Sequence, residues 1–120
     1  MRRYLFLIVF IIFSVTGWAK GKDGYVVATS EAVRADAAWM KVVDALVKKH
    51  KADVIFYKEN IGELQKPLRQ LRPRFVAFVE KPEFLNREYV MEGHRMSRRV
   101  DEDIYADYLW GIITGFSAED

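Results

Sequence analysis

The stretch Tyr25-Val26-Val27-Ala28-Thr29-Ser30 constrains this chain more than any other. It is apolar without alternation until Thr29, the pattern of a strand covered on both faces, and such strands belong to parallel sheets flanked by helices. A helical pattern over Glu31–Lys51 follows it at once. Thr29 or Ser30 is placed to cap that helix, and Glu31 sets negative charge against its positive end. Ala35, Trp39, Val42 and Leu46 fall on one face, widened by Val43 and Val47. Lys48, Lys49, His50 and Lys51 crowd the last turn, so His50 reads as a solvated helix end.

The strand-then-helix unit recurs. Val54–Tyr57 reads as a second strand after a turn at Asp53, and Asn60 with Glu63 has the offset of a capping box. Leu64, Leu68 and Leu71 give a helical stripe in which Pro67 predicts either a kink or a helix start. Phe75–Val79 is a third apolar strand, followed by a loop at Glu80–Glu83. Leu85, Tyr89, Met96 and Val100 make the next stripe, with Gly93 placed for a close approach to the sheet. Tyr108–Thr114 is the fourth strand. Ser117 followed by Glu119 and Asp120 has the form of a helix start, so the unit reads as incomplete. The expected fold is a three-layer α/β sandwich around a parallel four-stranded sheet, with order 2-1-3-4 from right-handed crossovers. Strand four would lie at an edge, and a bare apolar edge invites a partner.

The first nineteen residues have the layout of a secretory signal. Arg2 and Arg3 precede the apolar core Tyr4–Val15, and Gly17-Trp18-Ala19 presents small residues for cleavage between Ala19 and Lys20. The apolar run is shorter than the roughly 20 residues a spanning helix needs. Membrane contact is therefore expected only in transit. Residues 20–120 are expected to form a single exported α/β domain in the periplasm, at the cell surface or outside the cell. The formal charge of +2 resides in Arg2 and Arg3, and the chain beyond them is neutral on balance, which gives no electrostatic reason to expect nucleic acid as a partner.

Candidate chemistry is sparse. The chain has no cysteine, which removes disulfides, thiolate metal sites and a thiol nucleophile. The loop Thr29–Ala32 has no glycine to admit a phosphate, so no nucleotide cofactor is expected. His94 reads as a structural residue at the margin of its helix's core face. The acids Asp101, Glu102, Asp103 and Asp107 lack the calcium-loop glycine and glutamate, since Ala106 and Ile112 stand there. No metal and no catalytic residue is expected. Ligands of open α/β sheets bind at the carboxyl ends of strands where the winding reverses, which places a crevice between Ser30, Glu31, Glu80 and Lys81.

The segment from Asp103 to Asp120, with Asp107, three apolar residues and Gly111, resembles a stretch of the gingipain-like cysteine peptidases of the caspase-like fold. The preceding unit, Leu71 to Val79 and its helix, is similar too. Gly111-Ile112 departs from the Gly-Arg of many relatives. The catalytic His and Cys of that family lie on later strands, so the resemblance implies an amino-terminal α/β sub-domain, truncated or degenerate, without the catalytic part. Tyr25–Val79 is also similar to repeats of secreted cell-wall-binding modules, which implies an adhesive role. A plain protein-interaction domain, pairing a protein or cell-envelope partner along Tyr108–Thr114, is the third reading.

Amino-terminal sequencing of the mature protein should begin at Lys20-Gly21-Lys22. An intact amino terminus on membrane-bound protein would contradict the signal reading.

Overall fold

The computed structural model describes residues 24–99 and 107–120. The signal segment with its Ala19–Lys20 junction, Val100, and the acids Asp101, Glu102 and Asp103 lie outside the described residues.

Four strands, β1 (Tyr25–Ser30), β2 (Asp53–Tyr57), β3 (Phe75–Val79) and β4 (Leu109–Ile113), form one sheet in the order 2-1-3-4. Every pairing is parallel. Val27 lies between Val54 and Ala77, and Ala77 in turn pairs with Gly111. This is the α/β architecture expected from the continuous apolar strands. The Thr29 hydroxyl donates to the Val79 carbonyl at 2.7 Å, so this polar side chain of β1 is satisfied where it is fully buried.

Alternation along β1 sends Val26 and Ala28 to one face and Val27 to the other. On the first face they join Tyr57, Phe78, Leu64, Leu68 and Met96, beneath α3 (Gln65–Leu71) and α4 (Arg87–Ser97). On the second face Val27 and Val79 meet Val33, Trp39 and Val43 from α1 (Glu31–Arg34) and α2 (Ala37–His50). Two thin cores thus flank a single layer of strands.

The helix expected over Glu31–Lys51 is two helices. Asp36 sits in extended backbone, with φ −108° and ψ 108°, and its carboxylate accepts from the amides of Ala38 and Trp39. A short acidic side chain that competes for free amides starts a helix better than it continues one. The Lys81 ammonium, 2.9 Å away, holds the Asp36 carboxyl below its ordinary range. Lys51 closes α2 in the left-handed conformation at φ +51°. The capping box is present: Asn60 accepts from Gly62, and Glu63 reaches back to the amides of Lys58, Glu59 and Asn60. It opens a 3-10 turn, Ile61–Leu64, which runs into α3. Pro67 falls in the first turn of α3, where its missing N–H has no partner to lose.

Four further expectations are corrected. Leu85 precedes α4 instead of lying on its stripe, because Pro82–Phe84 winds as a 3-10 turn. His94 is exposed, so it is neither packed nor at a core margin. His50 is half-buried, its ring stacked on Tyr25 with centroids 4.1 Å apart. Gly93 does make its close approach, since a Cβ there would lie 3.2 Å from the Trp110 ring. After β4 the chain turns, the Ser117 amide donating to the Asp120 carboxylate, and no helix opens among the described residues.

Phe78 is fully buried at the centre of the first core, edge-on to Tyr89 and Trp110. Phe78→Ala should cost about 3–5 kcal/mol in urea unfolding. An unchanged midpoint would contradict this packing.

Candidate functional site

The carboxyl ends of β1, β2 and β3 meet around Glu80, the first residue beyond β3. Glu80 is only 1% exposed. Its Oε1 accepts from the Ser30 hydroxyl at 3.0 Å and from the Lys81 amide at 2.9 Å. Its Oε2 accepts from the Tyr57 hydroxyl, which also contacts the Tyr89 hydroxyl at 2.9 Å. Ser30 has a second duty, because its oxygen accepts from the Val33 amide and so caps α1. One carboxylate therefore ties the ends of three adjacent strands to the first turn of α4. A buried carboxylate is tolerable only with its lone pairs occupied, and here both oxygens are.

Above this network opens a cleft of about 570 Å³. Its walls come from the junction of β1 and α1 (Ser30, Ala32), the segment after β2 (Lys58–Ile61) and the segment after β3 (Glu83, Phe84). The start of α4 supplies Asn86, Glu88, Tyr89 and Glu92. The Glu63 carboxylate holds the second wall rigid, and the three amides it accepts keep it below the ordinary carboxyl range. Asn86 is spent capping α4 through the Tyr89 amide. The lining carries five glutamates, Glu59, Glu80, Glu83, Glu88 and Glu92, against the single cation Lys58. Its potential favours cationic groups. No histidine lines it, and no group of acids or histidines placed to hold a metal occurs among the described residues.

Of the four residues assigned to the crevice, the structure brings Ser30 and Glu80 into it, hydrogen-bonded to each other. Glu31 turns to Arg34 at 3.4 Å, and Lys81 turns to Asp36. Neither lines the cleft. Sequence reasoning missed Tyr57 and Tyr89, whose hydroxyls complete the network. Tyr57 closes an apolar strand and Tyr89 lies on an apolar stripe, so both read as core.

A second feature lies at the sheet's edge. The β4 residues Leu109 and Ile113 bond toward β3: the Leu109 amide donates to the Arg74 carbonyl, and the Ile113 carbonyl accepts from the Glu80 amide. In a parallel ladder this turns the amides and carbonyls of Trp110 and Ile112 outward. The side chain of Leu109 is 67% exposed, and Phe116 is wholly exposed. Between β4 and Tyr25 runs a shallow groove of about 230 Å³ floored by Phe75, Ala77 and Gly111. Nothing lies within 4 Å of a Cβ built at Gly111, so no described helix covers that part of the second face.

Burial drives the phenols of Tyr57, Tyr89 and Tyr108 upward from the ordinary value of 10.0, and the Glu80 hydrogen bond adds to the shift at Tyr57. The unfolded chain then releases these protons first, so the stability they confer is intact below pH 10 and falls as pH rises beyond it. Unfolding free energy should decline steeply above about pH 10, and Tyr57→Phe should flatten that decline. The same variant leaves Glu80 Oε2 without its phenol donor and should cost about 1–3 kcal/mol at neutral pH. A neutral-pH stability equal to wild type would contradict the network.

No protein-family model matches the chain, and neither a curated protein nor a solved structure similar to it was found.

Proposed function

We propose that this chain is an exported, non-catalytic α/β domain that works by binding, with β4 and the uncovered face beside it as the contact surface. One observation carries the reading: β4 is an edge strand of five uncharged residues whose outer backbone groups face away from β3. Sheet edges are ordinarily guarded by a lysine, a proline, a bulge or a covering segment. Leu109-Trp110-Gly111-Ile112-Ile113 has neither lysine nor proline, and no strand among the described residues pairs with its outer side. Strand addition to such an edge supplies main-chain hydrogen bonds for affinity and side-chain contacts for selectivity. The amino-terminal signal pattern supports export.

The edge strand lies within the segment, Asp103–Asp120, that resembles the gingipain-like peptidases. That resemblance supports a more particular form of the proposal, an amino-terminal peptidase sub-domain without its catalytic part. The cell-wall-binding alternative has no observation of its own in the fold.

The test is retention on the immobilised mature chain of a tagged second copy and of envelope and secreted proteins from the producing cell. Ile112→Pro removes an outward amide without touching β3. Wild type should retain a protein that the equally folded variant loses. Equal retention by both, or hydrolysis of a peptide substrate by the purified chain, would overturn the reading.

A further inference from the structure

We infer that the occupant of the β4 edge is a second copy of this chain, paired antiparallel across a two-fold axis at Gly111. The inference rests on the reading of β4 as a contact surface and names its partner.

Three observations converge on that register. The first is the hydrogen-bonding direction. Trp110 and Ile112 are the strand residues that point outward, and an antiparallel pairing centred on Gly111 sets Trp110 of each copy against Ile112 of the other. Those two residues then exchange both hydrogen bonds, and Gly111 meets its own copy in the adjacent pair without hydrogen bonds. An axis lying between two residues would oppose an outward residue to an inward one, so the bonding requires an axis through a residue, and shape selects Gly111 over Trp110 or Ile112.

The second observation is shape. The strand is a palindrome in size: two large apolar residues, a glycine, and two large apolar residues. About the two-fold, Leu109 lies beside Ile113 and Trp110 beside Ile112, so each apolar side chain gains an apolar neighbour. An isologous interface requires this kind of self-complementarity.

Charge supplies the third. Arg74, exposed and with its carbonyl accepting from the Leu109 amide, flanks the start of β4. Glu119 and Asp120, both exposed, flank the other end, where Asp120 folds back against Gly115. The two-fold brings Arg74 of each copy toward Asp120 of its mate. A parallel pairing would bring like ends together.

Engineered thiols test the register, because the chain has none of its own. In a pair without hydrogen bonds the Gly111 Cα atoms would lie about 4.5 Å apart, within the roughly 4.4–6.8 Å that a disulfide spans. A Cβ at Gly111 meets open space, so Gly111→Cys should fold. Leu109→Cys is the control, since its two copies would stand ~13 Å apart along the ribbon. The mature chain should sediment as a dimer and Ile112→Pro as a monomer. Under a mild oxidant such as copper-phenanthroline, Gly111→Cys should become covalent dimer at least tenfold faster than Leu109→Cys. Far-UV dichroism matching wild type checks the fold of each variant.

A monomeric wild type without Gly111 cross-linking would overturn the inference; β4-dependent retention of another protein would then leave the contact surface standing. A dimer that survives Ile112→Pro, or equal cross-linking at Leu109 and Gly111, would also overturn it. Monomer together with no β4-dependent retention of any protein would remove the contact surface as well.

Discussion

The structure depends on β1 being apolar on both of its faces. A strand that must be covered twice cannot lie on a surface; it needs a helix above and a helix below, and parallel neighbours reached by crossovers. Val26 and Ala28 dictate one core, Val27 the other, and Thr29 belongs to neither without the Val79 carbonyl that accepts its proton. The central position of β1 and the reversal of winding between β1 and β3 are consequences.

Reversal opens the carboxyl end of the sheet, and the chain closes its floor with a carboxylate. Glu80 draws Ser30, Tyr57 and its own following amide onto two oxygens, so the strand ends stay locked while the cleft above stays open. The glutamates around it give the cleft a negative character, but the network's own polar atoms are occupied by one another. At its β4 edge the same sheet leaves Leu109 and Gly111 uncovered on the second face, while Ile113 still packs on the core. Gly93 lets Trp110 settle against α4, whereas Gly111, one residue further along the strand, faces open space. The two margins of one sheet are thus physically different: one polar and satisfied, the other apolar and unfinished.

Much of this was legible in the sequence, because strand apolarity and turn chemistry are local signals. Unbroken runs such as Phe75–Val79 require two covered faces, and the long intervals between them require parallel neighbours, so order 2-1-3-4 could be reasoned from the residues alone. Asn60 and Glu63 announced their capping box by spacing. What was hidden depends on contacts distant in sequence. Ser30 and Glu80 could be placed at the reversal point, but their hydrogen bond joins residues fifty positions apart, and Tyr57 and Tyr89 arrive from two further elements. Glu31 and Lys81 were misassigned because other partners, Arg34 and Asp36, claim them. Asp36 itself was overlooked inside an apolar stripe that continues on both sides of it. The ring of Tyr25 beneath His50 could not be inferred from helix-end charges alone.

The claim beneath all of this is the parallel registration of β1 between β2 and β3, and nuclear Overhauser contacts in solution address it most directly. The account predicts amide–Hα and amide–amide contacts linking Val27 to the neighbourhoods of Val54 and Ala77, without the close Hα–Hα contacts that antiparallel strands give. Strong Hα–Hα contacts between β1 and either neighbour, or contacts placing β1 at an edge, would contradict it.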